Sequence, residues 1–202
     1  MSAGLLGCMT TPKQGNRIPD GAWYAADNGK FGKGWPGADK WFDWLTRTVA
    51  RYGADRCLWA VAPDVPFDAV GTLAESTPWL AKMRALGIPV AFAAQNGSEA
   101  PGMIPWDAID VLFLAGTTEW KLSIHAADLA AEAKRRGKAV HMGRVNSEER
   151  VRHAMAIGCD TADGTYLAFG PDVNLPKLLG WFDRMPKRQP PHVQFPLIEA
   201  TA

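Results

Sequence analysis

The chain has 202 residues, of which 47% are hydrophobic and 21% are charged, and this size is enough for one domain with a buried core. Its 22 Lys and Arg residues nearly balance its 21 Asp and Glu residues, which argues against a broadly basic nucleic-acid-binding surface and against an acidic disordered tail. The sequence has no apolar run of about 18 residues that would span a membrane, and its first residues do not predict a secretion signal. Its three cysteines match no disulfide framework.

Short apolar runs alternate along the chain with longer amphipathic stretches. Seven such runs predict β-strands, at residues 5–9, 22–26, 57–62, 89–94, 111–115, 139–142 and 159–162. Several of these runs are apolar at every position rather than at alternate positions. This pattern is typical of strands in a parallel sheet that is covered on both faces.

Helices are predicted between and after these strands, at residues 39–52, 72–86, 123–136, 147–157 and 175–184. Four of them end at a glycine, which is common just past a helix C-terminus. Serial strand and helix units predict an α/β fold, a compact (β/α)8 TIM-like barrel with a reduced or irregular last unit and no zinc subdomain. Residues 1–186 are assigned to this single barrel domain, and residues 187–202 to an irregular, proline-rich C-terminal tail.

Polar residues or glycines follow most of the predicted strands, at the end where barrel enzymes carry their catalytic groups. These segments are residues 27–29 (DNG), 64 (D), 95–97 (QNG), 116–119 (GTTE), 143–144 (GR) and 163–164 (DG). Taken singly, each Asp is explained as a turn former or a helix N-cap. Taken together, the carboxylates are expected to meet at one mouth and to shift one another's pKa values, which separates acid, base and nucleophile roles.

Other chemistry-bearing residues have simpler explanations. The four histidines have no metal-ligand spacing, so no metal site is predicted, and His141, inside a predicted strand, is explained as a buried, hydrogen-bonded residue. The glycine-rich segment 29–34 lacks the spacing of nucleotide-binding loops. Most of the nine tryptophans are assigned to the core, because aromatic side chains bury large areas.

Several strand-end motifs together resemble one known family. Residues 141–167, HMGRVNSEERVRHAMAIGCDTADGTYL, are similar to a segment that reads Met-Gly-x-Gly, a helix, then Gly-Ile-Asp-x-Phe-Asp. Residues 27–31 (DNGKF) resemble Asp-Ser-Gly-Gly-Phe/Tyr, and residues 95–97 (QNG) resemble Gln-Gly-Gly. These motifs belong to the guanine transglycosylases, and the resemblance is closest to the DNA-acting members, which insert 7-deazaguanines in phage and bacterial DNA.

The resemblance implies a reaction and two catalytic residues. Asp163 takes the place of the nucleophile, and Asp27 takes the place of the general acid/base. In the family's reaction the carboxylate attacks C1′ of a nucleotide as guanine leaves, and a 7-deazaguanine derivative replaces it through a covalent glycosyl-enzyme intermediate. The protein is therefore expected to be a DNA-guanine transglycosylase, a glycosyltransferase that acts on a flipped or single-stranded nucleotide.

The same resemblance implies a set of binding residues. The base-binding residues are Asp64, Gln95, Gly116, Phe31 and Met142. Phe31 and Met142 would sandwich the base, while Asp64 and Gln95 would hydrogen-bond it. The nucleic-acid-binding residues are two cations near the mouth, for phosphates, and one tryptophan for stacking: Lys30, Arg144 and Trp120.

The chain also departs from the tRNA-acting members of the family. It lacks their Cys-x-Cys-x-x-Cys and His zinc site, so no cofactor is expected, and DNA is favoured over tRNA as the partner, with a 7-deazaguanine base as second substrate. The expected compartment is the cytoplasm of a bacterial or phage-infected cell, with no membrane contact and the oligomeric state left open. Two alternatives stay open: an N-glycosidase or nucleosidase using the same carboxylates, and an inactive barrel that binds nucleic acid or a modified base.

Overall fold

A single parallel sheet organises the molecule. The computed structural model of the chain describes residues 6–14 and 17–185, and in them seven strands pair in sequence order, each parallel to the next. The strands are β1 (Cys8–Thr10), β2 (Tyr24–Ala26), β3 (Cys57–Val61), β4 (Val90–Ala94), β5 (Val111–Leu114), β6 (Ala139–Met142) and β7 (Thr161–Ala162).

This topology confirms the predicted α/β fold of the TIM-barrel type. The last unit is reduced, as predicted, because β7 has only 2 residues and no eighth strand follows it up to residue 185. The predicted tail, residues 187–202, lies outside the described residues. The division of the chain at residue 186 therefore stays a prediction.

The α-helices of the described part follow the strands along the chain. They are α1 (Ala38–Tyr52), α2 (Ala69–Arg84), α3 (Thr118–Lys121), α4 (Ile124–Arg135), α5 (Glu148–Ala156) and α6 (Pro171–Asp183). Only α3, a single turn of 4 residues, was not predicted. α2 begins earlier than predicted because Asp68 caps it, accepting a hydrogen bond from the Gly71 N–H at 3.0 Å. In residues 6–14 and 17–185, no helix combines the length and apolar character needed to cross a membrane.

Both faces of the sheet are buried from β2 to β6, which explains why several strands are apolar at every position. Successive residues of β3 point to opposite faces: Ala60 belongs to the large cluster that packs the sheet against the helices, whereas Trp59 and Val61 belong to a second cluster inside the curl of the sheet. The inner cluster continues through β4 and β5 with Ala91, Ala93, Val111 and Phe113. Because the strands are parallel, the loops at their carboxyl ends surround one mouth above this inner cluster.

Candidate active site

A buried network of amides and one carboxylate joins the loops after β2, β3 and β4. Asp64, which is 7% exposed, accepts hydrogen bonds on one oxygen from Asn28 Nδ2 at 2.8 Å and on the other from Gln95 Nε2 at 2.7 Å. Asn28 Nδ2 also donates to the Ala62 carbonyl, which ties the loop after β2 to the end of β3. Burial raises the pKa of Asp64, and the hydrogen bonds from Asn28 and Gln95 oppose this rise.

Asp27, in the loop after β2, is a second carboxyl group of the mouth with a raised pKa. Its Oδ1 accepts a hydrogen bond from the Gly29 N–H at 2.7 Å, and its own N–H donates to the Thr10 carbonyl at the end of β1. Burial raises its pKa to about 6, and the negative charges of Asp163 and Asp64 act in the same direction, against the Gly29 hydrogen bond. This carboxyl group therefore exchanges a proton close to neutral pH.

A cavity of about 280 Å³ opens beside Asp27. Its wall is formed by the loop after β1 and by the glycine-rich loop after β2, with Thr11, Lys13, Gln14, Gly29, Gly32 and Gly34. Within residues 6–14 and 17–185, Asp27 is the only carboxylate that lines this wall. A ligand in the cavity would therefore lie next to the group whose pKa is about 6.

Asp163 follows β7, and its pKa is shifted in the opposite direction to that of Asp27. Its Oδ1 accepts hydrogen bonds from His141 Nε2 at 3.0 Å and from the Arg144 N–H at 3.2 Å. Burial acts to raise its pKa, but the hydrogen bond and charge of His141, the Arg144 N–H and the charge of Lys121 outweigh burial, so the pKa of Asp163 is lowered. Between the ordinary carboxyl range and about pH 6, Asp163 is therefore ionised while Asp27 still holds its proton.

Two cations stabilise the loop that follows β6. The Arg144 guanidinium donates through Nη2 to the carbonyls of Ala115, at 2.6 Å, and of Gly116. Lys121, which is 3% exposed, donates to the Gly143 carbonyl. Burial lowers the pKa of Lys121 to about 8, and the charge of Arg144 adds to this effect. These contacts connect the ends of β5 and β6 beside Asp163.

An exposed aromatic pair lies beside the same loop. Phe31 is 59% exposed and Phe67 is 45% exposed, their ring centroids are 5.9 Å apart in an edge-to-face arrangement, and the Arg144 guanidinium lies 4.3 Å from the Phe31 ring centroid. Phe67 and Arg144 are the only non-glycine residues of the described part with positive φ, 68° and 59°. Strained backbone of this kind concentrates at functional sites.

The structure brings some of the predicted site residues together and places others elsewhere. Asp27, Asp64, Gln95, Phe31 and Arg144 lie around the mouth, as described above. Met142 is 1% exposed and packs in the cluster between the sheet and the helices, so its side chain does not face Phe31 across the mouth. Trp120 is also buried, and its Nε1 donates to Glu99 at 2.9 Å; its ring is therefore not free to stack on a base.

Gly116 and Lys30 are engaged by other protein groups. A Cβ at Gly116 would lie 2.5 Å from the Trp120 ring, so this position needs glycine for packing, and its carbonyl accepts from Arg144. Lys30 pairs with Glu75 of α2, and its side chain is 13% exposed. The charge of Lys30 also acts on the mouth, where it opposes the rise in the pKa of Asp64.

Three residues of the site were not singled out by sequence reasoning. Asn28 was treated as a turn residue, His141 as a structural one, and Phe67 was not considered. The only sequence signal for Asn28 was its position directly after Asp27, and nothing local marks Phe67, whose N–H donates to Gln95 Oε1 at 3.0 Å. Their roles depend on partners from other strands.

No protein-family model and no curated protein sequence matches the chain. Solved structures of EAL domains are similar to it. The Bacillus subtilis YkuI protein, with an EAL domain in complex with substrate c-di-GMP and calcium, is 15% identical with a TM-score of 0.48, over 82% of this chain and 44% of that chain. The Xanthomonas citri FimX EAL domain in complex with c-di-GMP is 15% identical with a TM-score of 0.46, over 72% and 59%.

A third structure, the manganese and cyclic di-GMP complex of Klebsiella pneumoniae BlrP1, is 14% identical with a TM-score of 0.47, over 72% of this chain and 38% of that chain. The chain therefore spans less than two thirds of the length of each of these structures.

These neighbours contradict the family predicted from the sequence, since they are EAL domains with bound c-di-GMP and not guanine transglycosylases. The predicted guanine exchange in DNA, the glycosyltransferase class, and the DNA, tRNA and 7-deazaguanine partners are wrong for the same reason. The error has a physical origin. The motifs at residues 27–31 and 95–97 are a few residues long and consist largely of Asp, Asn, Gln and Gly, residue types that turns after barrel strands commonly use. The longer segment, residues 141–167, agrees with the family pattern at only five positions.

The prediction that the protein needs no cofactor is also contradicted, because the YkuI and BlrP1 structures contain calcium or manganese. The donor set of this chain does not fit such an ion. Both oxygens of Asp64 accept amide hydrogens, and Oδ1 of Asp163 accepts two N–H groups. Across residues 6–14 and 17–185, no three His, Cys, Asp or Glu side chains are grouped as a metal site.

Proposed function

We propose that the protein is a hydrolase that cleaves a phosphodiester bond of a small nucleotide, with Asp27 and Asp163 as its acid and base. The observation that carries this proposal is the opposite shift of two carboxyl groups in one mouth. The pKa of Asp27 is raised to about 6, whereas the pKa of Asp163 is lowered. Two carboxyl groups whose pKa values are pushed apart can divide the acid and base roles of one reaction.

The proposed step uses each group in the protonation state that its surroundings favour. Ionised Asp163 accepts a proton from a water molecule, and the water oxygen forms a bond to phosphorus. The bond between phosphorus and the leaving sugar oxygen breaks, and protonated Asp27 gives its proton to that oxygen. After the step Asp163 holds a proton and Asp27 is ionised, and exchange with solvent restores both groups.

The surroundings of the two carboxyl groups support a nucleotide as the ligand. The exposed rings of Phe31 and Phe67 offer faces and edges to a planar base, and stacking of a base on an aromatic ring contributes about 1–3 kcal/mol. Arg144 lies beside them and retains guanidinium N–H groups beyond the Nη2 that binds Ala115 and Gly116, and these can donate to a phosphate. We assign Asp64 and Gln95 to holding the loops after β2, β3 and β4 around the ligand, because both side chains are buried and their polar atoms bond one another and neighbouring loop groups.

The test is turnover of cyclic di-GMP, the nucleotide named in the EAL structures, together with 3′,5′-cyclic AMP and a linear dinucleotide, with products separated by chromatography. We expect a linear or mononucleotide product, and we expect Asp163→Asn to lower kcat by at least about 100-fold, as for loss of a general base. The matched control is Asp20→Asn, because the Asp20 side chain is 91% exposed and lies outside the mouth. This control should keep the wild-type rate.

Two results would overturn the proposal. Release of a free base would show that a glycosidic bond is cleaved, and absence of cleavage of all three nucleotides would remove the phosphodiester assignment. Each assay is also run with manganese and with a chelator. A rate that depends on manganese would show that the donor set does accept a metal ion.

A further inference from the structure

His141 lies inside the curl of the sheet, directly below Asp163. The side chain is on β6 and is 2% exposed. Its ring packs between two aromatic rings, with centroid distances of 4.5 Å to Trp59 and 4.7 Å to Phe113. A ring enclosed in this way has a fixed orientation, because rotation would collide with both neighbours.

Both ring nitrogens of His141 have partners on or just after β7. Nδ1 is 2.8 Å from Thr161 Oγ1, and Nε2 is 3.0 Å from Asp163 Oδ1. An ionised carboxylate can only accept a hydrogen bond, so Nε2 must carry the proton. When the ring is neutral, Nδ1 is then an acceptor and the Thr161 hydroxyl donates to it. The three side chains thus form one directed chain of hydrogen bonds that ends on Asp163.

A second donor reaches the same oxygen of Asp163 from the backbone. The Arg144 N–H donates to Oδ1 at 3.2 Å, and the chain can pass this close because residue 143 is glycine. A Cβ at Gly143 would lie 2.6 Å from the Phe113 ring and 3.3 Å from Asp163 Oδ1. Both donors therefore converge on Oδ1, and no hydrogen bond to Oδ2 is found in the described part of the chain.

We propose that His141 is a positioning residue, which holds Oδ1 of Asp163 so that Oδ2 faces the ligand and which keeps this carboxyl group ionised. This inference rests on the proposed function for the identity of the reaction, but the positioning itself does not require a substrate. The charged groups that also act on Asp163 are Lys121 on α3, Arg144 after β6, and Asp27 after β2. None of them replaces the side-chain hydrogen bond of His141.

The test compares two substitutions at His141 that differ in one donor. His141→Gln places an amide N–H near the position of Nε2. His141→Leu removes the donor and puts an apolar side chain in its place. A hydrogen bond to the ionised form lowers a carboxyl pKa, so His141→Leu should raise the pKa of Asp163 and His141→Gln should leave it close to the wild-type value. The measurement is a carbon-13 NMR titration of the Asp carboxyl groups, with the Asp163 signal assigned by its loss in Asp163→Asn.

A substrate-dependent readout is kept separate from the titration. If a nucleotide is hydrolysed, the acidic limb of kcat/KM should move to higher pH in His141→Leu, with a loss of roughly 100-fold in kcat for a misplaced base, and His141→Gln should restore most of the rate. If no nucleotide is hydrolysed, the proposed function fails while the titration still decides the role of His141. An unchanged pKa of Asp163 in His141→Leu would overturn the positioning role.

A third variant covers the case in which His141→Leu does not fold. Thr161→Val removes the hydroxyl that donates to Nδ1 and leaves the histidine ring in the core. The Asp163 carboxylate still fixes the proton on Nε2, but the ring loses the hydroxyl that donates to Nδ1 and polarises the Nε2–H group. The hydrogen bond to Asp163 is then weaker, so the pKa of Asp163 should rise, by less than in His141→Leu. An unchanged Asp163 titration in Thr161→Val, with His141→Leu unfolded, would also overturn the proposal.

Discussion

Asp27 should destabilise the folded protein at neutral and alkaline pH, and this makes its replacement a sharp test of the site. Its pKa is raised from the ordinary value of 3.8 to about 6. One pKa unit corresponds to about 1.4 kcal/mol, so the shift corresponds to about 3 kcal/mol, and solvent screening of this half-buried group reduces it to about 2 kcal/mol. Asp27→Asn removes the ionisation and keeps an oxygen that can accept from the Gly29 N–H.

The sign follows from linkage between protonation and folding. A carboxyl group with a raised pKa binds its proton more tightly in the folded state, so its contribution to stability is complete below pH 3.8 and is lost as the pH rises through about 6. The free energy of unfolding of Asp27→Asn should therefore equal that of the wild type at about pH 3.5 and be greater by about 2 kcal/mol at about pH 8.

The assay is urea unfolding of the wild type and the variant at pH steps across this range, followed by circular dichroism. Asp20→Asn serves as the control, because the Asp20 side chain is 91% exposed and its substitution should give no pH-dependent difference. The same Asp27→Asn variant should lose hydrolysis while it gains stability, as expected for a catalytic group whose burial costs stability when it is ionised. A stability difference that is equal at both ends of the pH range would refute the assigned pKa shift and its cause.

Three further outcomes are expected. Gln95→Leu leaves the buried Asp64 carboxylate short of a donor and should lower the free energy of unfolding, measured with urea, by about 2–3 kcal/mol. Gln95→Glu should recover part of this lost stability only at acidic pH, where the Glu side chain carries a proton that it can donate. Gly143→Ala should destabilise the protein by about 1–3 kcal/mol because its Cβ meets a ring at 2.6 Å, whereas Gly32→Ala, with nothing within 4 Å of its Cβ, should be neutral. Finally, kcat/KM should fall as pH rises above about 6, where Asp27 ionises; a rate that is flat from pH 5 to 8 would contradict this assignment.

The sequence predicted that the acidic residues lie at the same edge of the sheet, because this location depends only on the order and direction of the strands. Asp27, Asp64 and Asp163 each follow an apolar run, and the carboxyl ends of parallel strands lie at one edge of the sheet. Once the runs are read as parallel strands, their common location follows. The opposite shifts of the Asp27 and Asp163 pKa values were not predictable in direction, because they depend on which donors reach each oxygen.

The error in the predicted family has a related cause. Turn residues after barrel strands are chosen for backbone geometry as well as for chemistry, so short motifs such as residues 27–31 and 95–97 carry little information about the reaction. The burial of Met142, the last residue of β6, shows the same limit. A position at a strand end does not by itself decide whether the side chain points to the mouth or to the helices. Successive residues of a strand point to opposite faces of the sheet, so an error of one residue in the predicted strand end changes the expected direction.

The alternation of strands and helices, the parallel sheet and the edge at which polar residues gather all follow from the amino-acid sequence. Local propensity and hydrophobic pattern act over a few residues, so they can be read along the chain. The contacts of the site arise only in the folded chain: His141 reaches Asp163 across 22 positions, and Asn28 reaches Asp64 across 36. These hydrogen bonds join residues of different strands, and their geometry exists only after the sheet has curled and its inner face has packed.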